Sequence, residues 1–239
     1  MTSLLLISSS TVHGTGYLDH AADELASFFS GIEEILFVPW ALYDADTYAE
    51  QARERFARIG IRAPSLHAQP DPIASIESAR GFFFGGGNTF RLRKALADRS
   101  LLPAIRRRVE SGGRYAGSSA GANLACPTIR TTNDMPIVEP GSFSALSLVP
   151  FQINPHYVDP DPSSGHQGET REERIRQFHE EPENARTVVG LREGAMLRRE
   201  GSELRLKGGA GARIFPPGDP PYEVSAPADL SEFLNELKP

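Results

Sequence analysis

The sequence predicts an α/β fold: a mostly parallel sheet flanked by helices on both faces, with antiparallel additions at one edge. Three observations carry this. As far as residue 118, short apolar runs alternate with stretches of helical periodicity, the order that strand-helix-strand crossovers require. After Cys126 the helical periods largely give way to short strand-like runs separated by Gly and Pro, which suits strands that turn back on one another. Two strand-like runs, GFFFGGGN and RYAGSSAG, end in small residues just before a helical stretch. In a parallel sheet such turns lie at the carboxyl ends of the strands, where ligands bind.

Taken in order, residues 3–8 form a short apolar run that reads as a buried parallel strand. Residues 19–29 place Ala21, Leu25, Phe28 and Phe29 on one side of a helix. EEILFVPW is a second strand ending at Pro39, and residues 44–59 are an amphipathic helix rich in Ala, Arg and Glu. GIRAPSLH is a candidate third strand, followed by a short helix over 73–79 and the strand GFFF. Residues 88–97 and 101–111 are helices divided near Pro103, and 114–118 is the strand that enters the second small-residue turn. Further strands are expected in FQINPHY, ARTVVGL, GAMLRR and SELRLKGGAGARIF, with a polar loop at 159–167 and a charged helix at 169–178 between the first two.

At 239 residues and 39% apolar, the chain can bury a sizeable core. It shows no repeat and no linker, so 1–239 is read as one domain. A net charge of -6 without any long basic run argues against nucleic acid as a partner. The triplet Arg106-Arg107-Arg108 falls within a helical pattern and reads as a solvated face. Cys126 is the single cysteine, so neither an intrachain disulfide nor a cysteine metal cluster is possible. The start, MTSLLLISSS, is too short to span a bilayer and lacks a basic n-region. The expectation is a cytoplasmic protein, monomer or homodimer, with no membrane partner.

The chemistry centres on YAGSSAGANLA. Gly117-Ser118-Ser119-Ala120-Gly121 fits G-x-S-x-G, in which a serine sits on a tight strand-to-helix turn that bulky neighbours would obstruct. The helix N-terminus beside it favours developing negative charge. The pattern alone also fits a serine that merely caps a helix. In GFFFGGGNTF the glycines allow backbone N–H groups close to a ligand; Gly86 or Gly87 could supply one oxyanion donor and Ala120 the other. A phosphate cradle is disfavoured, because no lysine and no GKS or GKT follows.

A serine nucleophile needs a base. Of six histidines, His156 in QINPHYVD follows a strand-like run and a proline that ends it. His13 sits in the loop after the first strand and is a weaker candidate. His166, in the polar loop, suits substrate binding, and His67 and His179 read as surface residues. Two acids could orient the base: Glu193 in LREGAML and Asp134 in TTNDMPIV. The residues alone leave that choice open.

Together, GGGNTF, GSSAGANLA, TTNDMPIV, QINPHY, GETREERI and LREGAML resemble the peptidase E family of aspartyl dipeptidases, in order and across most of the chain. The resemblance implies a glutamine amidotransferase-like fold with serine as nucleophile. It implies hydrolysis of peptides with an N-terminal aspartate and no metal or organic cofactor. By motif, Ser119 corresponds to the nucleophile, His156 to the base and Glu193 to the third member, with Asp134 the alternative acid. Gly87 and Ala120 are the expected oxyanion donors. Arg171 corresponds to the residue that grips the substrate carboxylate, with Asn88 and His166 nearby as further substrate contacts. A guanidinium suits that task because it meets a carboxylate through two parallel hydrogen bonds. Two other readings stand beside this one: a cyanophycinase-like hydrolase of β-aspartyl-arginine links, for which DPDPSSGH could supply acid, and a non-catalytic module binding acidic ligands. A glutamine amidotransferase is disfavoured, since Cys126 lies beyond the turn, inside the following helix. Trp40 and Tyr43 in VPWALYD are unexpected for such relatives and either wall the pocket or pack on the sheet.

Overall fold

The computed structural model describes residues 1–160, 163, 165 and 168–235. Its main sheet has a parallel centre. Strands β1 (Ser3–Ile7), β2 (Leu36–Val38), β3 (Gly81–Phe84) and β4 (Arg114–Ser118) run parallel in the order β1-β4-β3-β2. Beyond β1 the sheet continues antiparallel through β7 (Ala195–Glu200), β8 (Glu203–Gly208) and β11 (Ala228–Asp229). A second, four-stranded sheet holds β5 (Gln152–Pro155), β6 (Val188–Leu191), β9 (Ala212–Phe215) and β10 (Tyr222–Val224). In it β5 and β6 are parallel and the rest antiparallel.

The period-2 alternation of the strands divides the interior into two cores. Leu4 and Leu6 of β1, with Phe82 and Phe84 of β3, face one side. That side is covered by α3 (Pro72–Ser78), α4 (Thr89–Asp98), α5 (Leu102–Glu110) and α6 (Ala120–Leu124), through Ile76, Leu92, Leu96, Ile105 and Leu124. Leu5, Ile7 and Phe83 face the other, under α1 (Ala22–Phe28) and α2 (Ala45–Ala57), through Leu25, Phe28, Ala52 and Phe56. The second sheet adds Ile153, Val189 and Ile214 to the first core. A helix pair therefore lies on one face, and three helices with α6 and the small sheet lie on the other.

Helix starts follow their caps. Asp44, Asp71 and Asn88 each accept a backbone N–H three residues on, at 3.0 Å. Such caps contribute about 1 kcal/mol apiece. Pro103 sits in the first turn of α5, where its missing N–H costs nothing.

One expected strand is corrected. GIRAPSLH forms no ladder with the sheet; it runs outside β2 with only the isolated bridges Glu34–Arg62 and Phe37–Ser65. Pro64 lies between them and has no N–H to donate. The later strands also divide between two sheets instead of all extending one edge.

Candidate active site

Three chain segments converge at the carboxyl ends of the parallel strands. The first is the turn from β4 into α6. Ser119 adopts φ 51°, ψ -107°, a region L-residues avoid at a cost of about 1–3 kcal/mol. The neighbouring glycines make this possible. A Cβ on Gly117 would lie 2.6 Å from the Gly121 backbone, and one on Gly121 would run into the carbonyl oxygen of Phe84. The motif therefore answers two steric demands, the tightness of the turn and its closeness to β3.

The second segment follows β5. His156 also has positive φ, 52°, which turns the chain off the strand end. Its N–H donates to Ser8 Oγ at 2.9 Å, and Ser8 in turn donates to the Leu191 carbonyl at 2.7 Å. The third is the turn between β6 and β7, where Gly194 at φ 84° and the Ala195 N–H on the Arg192 carbonyl close the chain around Glu193. The side chains form a hydrogen-bonded line: Ser119 Oγ to His156 Nε2 at 2.9 Å, and His156 Nδ1 to Glu193 Oε1 at 2.6 Å. A carboxylate can only accept, so Nδ1 carries the proton in the neutral ring and Nε2 is left to accept from the serine. Ser119 and His156 are partly buried and Glu193 exposed, so the line opens to solvent.

The glycine loop after β3 lies against Ser119. A Cβ on Gly86 would sit 3.2 Å from Ser119 Cβ. The loop is pinned by Gly85 N–H on the Val38 carbonyl at 3.1 Å and Asn88 N–H on the Ala41 carbonyl at 2.9 Å. Among the described residues, the N–H groups of Gly87 and Ala120 donate to no protein acceptor.

Asp134 is placed differently from Glu193. Its Oδ2 accepts from Thr89 N–H at 2.7 Å and from Thr132 Oγ1 at 2.9 Å, so it braces the start of α4; His156 takes its acid partner from the other side. Asn88 is likewise occupied with scaffold. Its Oδ1 caps α4, and its Nδ2 donates to the Met135 carbonyl at 2.8 Å. His166 lies outside the described residues, as do 161, 162 and 164 of DPDPSSGH.

Arg171 opens α7 (Arg171–Glu180), whose start is fixed by a capping box between Thr170 and Glu173. Among the described residues its half-buried guanidinium has no ion-pair partner. Burial pushes its pKa down, first and foremost, with the nearby Arg174 adding to this and Asp134 opposing it. An arginine withdrawn from water without a partner is poised to bind an anion.

Several supporting residues carried no recognisable motif. Ser8 joins His156 to β6 from the end of β1. Asn123 in α6 donates to the Ile153 carbonyl at 2.8 Å, tying the serine turn to β5. Behind the glycine loop, Ser10 and Ser118 hydroxyls meet at 2.9 Å, and the Tyr48 ring occupies the space that a side chain at Gly85 would need. The serine run ISSS at the end of the first strand was the one available signal. Of the two aromatics in VPWALYD, Trp40 packs against the core and Tyr43 is 90% exposed. A hollow of about 480 Å³, lined by residues such as Ile35, Gln69 and Arg80, lies at the amino ends of the strands. It holds none of the line above and is not part of the site. Among the described residues, no helix is long and apolar enough to cross a membrane.

Comparison with known proteins identifies the family. The model of peptidase family S51 matches residues 4–207. Peptidase E of Streptomyces coelicolor is 52% identical over 233 residues, covering 98% of this chain and 95% of that protein. The "Probable alpha-aspartyl dipeptidase" of Drosophila melanogaster is 44% identical over 240 residues, covering 98% of both. The crystal structure of a peptidase from an acI-B1 actinobacterium shares the fold, with a TM-score of 0.70 at 20% identity over 96% of each chain. A match of this length, laid over a serine, histidine and carboxylate in hydrogen-bonded sequence, means that the chain belongs to peptidase family S51.

Proposed function

We propose that the chain is a serine-type dipeptidase that removes an N-terminal aspartate from Asp-X through an acyl-enzyme on Ser119. The observation that carries this reading is the unbroken line Ser119–His156–Glu193. The names of the relatives supply the aspartate, and Arg171, with no ion-pair partner among the described residues, supplies a group able to select it. In this account Arg171 grips the substrate's side-chain carboxylate and brings the scissile carbonyl to Ser119. His156 Nε2 takes the hydroxyl proton as Oγ bonds to the carbonyl carbon. The carbonyl π electrons move to oxygen, and the N–H groups of Gly87 and Ala120 hold the resulting anion. Collapse breaks the C–N bond, and His156 returns the proton to the departing amine. Water, deprotonated by His156, then attacks the ester, releasing aspartate and restoring the serine. Glu193 holds the imidazole tautomer and offsets the charge of the imidazolium. The buried, unpaired Cys126 suits a reducing compartment, and a cytoplasmic location is part of the proposal.

The test is hydrolysis of Asp-Leu and Ala-Leu by the purified chain beside Ser119→Ala. The reading expects cleavage of Asp-Leu alone and a loss of about 10³-fold or more in the variant. Cleavage of β-Asp-Arg with Asp-Leu untouched points to the cyanophycinase-like reading. No cleavage, with Ser119 inert to fluorophosphonate, points to a binding module.

A further inference from the structure

The three segments that carry Arg171, His156 and Glu193 are joined by a run of ion pairs on the small sheet. Arg192, one residue before Glu193, holds Asp159, three residues after His156, through a two-pronged contact: Nε to Oδ2 at 2.8 Å and Nη2 to Oδ1 at 2.7 Å. The same guanidinium reaches Glu223 of β10 at 2.9 and 3.1 Å. Glu223 accepts in turn from Arg213 of β9 at 2.8 Å. Arg213 closes the run on Glu172, the residue after Arg171, at 3.0 Å.

The position of each link matters more than its strength. Isolated exposed pairs contribute little, but a bidentate pair within a network fixes orientation as well as distance. The later turns of helix α7 are held separately, by Phe178 against the same apolar cluster and by His179 on the Arg186 carbonyl at 2.9 Å. Ile175 is the helix's one buried residue, resting on Tyr157, Val188 and Phe215. Its first turn, which presents Arg171, meets the sheet through Glu172, whose side chain is only 17% exposed. Glu172 is also paired with Arg176 on its own helix at 3.0 Å, which stiffens it within α7 but does not dock it. On the far side, the Arg192–Asp159 pair bridges the very segments that bring His156 and Glu193 together. Asp159 and Glu223 are both held below the ordinary carboxylate range, chiefly by hydrogen bonds from Arg192.

We infer that Arg192 and Arg213 are positioning residues. The run Asp159–Arg192–Glu223–Arg213–Glu172 sets the substrate anchor Arg171 at a fixed separation from the His156–Glu193 pair. Neither arginine touches substrate in this account. Arg213 acts on aspartate recognition through α7, and Arg192 acts on the chemical step through the two segments it bridges. The inference rests on the aspartyl dipeptidase reading.

The two roles separate in steady-state kinetics. Asp-Leu and Asn-Leu are assayed with the full chain and with Arg213→Gln, Arg213→Lys, Arg192→Gln and Arg192→Lys. Rates are taken per reactive serine, titrated with fluorophosphonate, so that a variant folding poorly is not mistaken for a slow one. Arg213→Gln raises KM for Asp-Leu about tenfold, leaves kcat within about twofold and lowers the preference for Asp-Leu over Asn-Leu. Arg192→Gln lowers kcat about tenfold with KM little changed. Each lysine variant recovers part of the loss, since lysine restores the charge but not the fork. Unaltered kcat, KM and preference per reactive serine in both glutamine variants overturns the inference. So does a loss in both that falls equally on Asp-Leu and Asn-Leu without a split between kcat and KM. A wild-type chain inert toward Asp-Leu instead removes the underlying function, and the clamp with it.

Discussion

Glu193 Oε1 stands 2.6 Å from His156 Nδ1, reaching it from the turn after the strand that pairs in parallel with the one carrying the histidine. Because β5 and β6 are neighbours in register, with Pro155 opposite Leu191, the base and its acid leave the same sheet edge side by side. Asp134 instead braces Thr89 and Thr132. Glu193→Gln, which keeps shape but allows the wrong tautomer, is expected to lower kcat by about 10²- to 10⁴-fold. Asp134→Asn retains an acceptor for the Thr89 N–H and is expected to cost no more than about tenfold. Parallel kinetics of the two variants check this, and a larger loss in Asp134→Asn reverses the assignment.

Ser8 is fully buried, and its hydroxyl takes part in two hydrogen bonds, from His156 N–H and to the Leu191 carbonyl. Ser8→Ala removes the acceptor of the His156 N–H, at about 1–3 kcal/mol of stability, while the Leu191 carbonyl keeps the Tyr157 N–H at 3.1 Å. It also frees the histidine backbone, so kcat should fall about tenfold with KM nearly unchanged. Denaturant unfolding and steady-state kinetics on the same preparation measure both effects. Wild-type values in both would deny Ser8 any part in placing His156.

Burial pushes the Cys126 thiol up to about 12. A thiol so placed has almost no thiolate at pH 8. Ellman's reagent should therefore leave the native chain unmodified and titrate one thiol after denaturation. Rapid reaction in the folded state would show that the turn just after α6 opens.

The ion-pair run also sets an acid dependence. Asp159 and Glu223 have folded-state pKa values below their unfolded ones, mainly through Arg192. Their contribution to stability is complete above the unfolded carboxylate value of about 4 and is lost as pH falls through the lower folded value. Arg192→Gln should accordingly lower Tm at pH 7, and the gap to wild type should close as pH falls below the ordinary carboxylate range. A gap independent of pH would assign the loss to packing.

Much of this was legible along the chain. The serine turn could be read because its demands are local: Gly117 and Gly121 are needed within four residues of each other. The parallel centre of the sheet could be read because each strand precedes its own covering helix. Other features depend on pairings between distant residues. The choice of Glu193 over Asp134 as the neighbour of His156 follows from the register of β5 against β6, which nothing near either acid encodes. Ser8 looks like any small polar residue at a strand end until the histidine arrives 148 positions later. GIRAPSLH has the composition of a strand, yet Pro64 keeps it from a ladder. Asn88 reads as a ligand contact beside the glycines but is taken up in capping α4 and holding Met135. The division of the later strands into two sheets follows from which edges β1 and β6 leave free, a property of the assembled fold.

The central claim is that Arg171 selects aspartate for a serine activated by His156 and Glu193. Its most direct test is the ratio of kcat/KM for Asp-Leu over the near-isosteric Asn-Leu, in wild type and in Arg171→Gln. The account predicts a wild-type preference of about 10²-fold or more, as expected when a charge-paired contact is lost. It also predicts collapse of that ratio toward unity in the variant, with Ser119 still reactive toward fluorophosphonate. A wild-type ratio near one, or a large ratio that survives in Arg171→Gln, would contradict it.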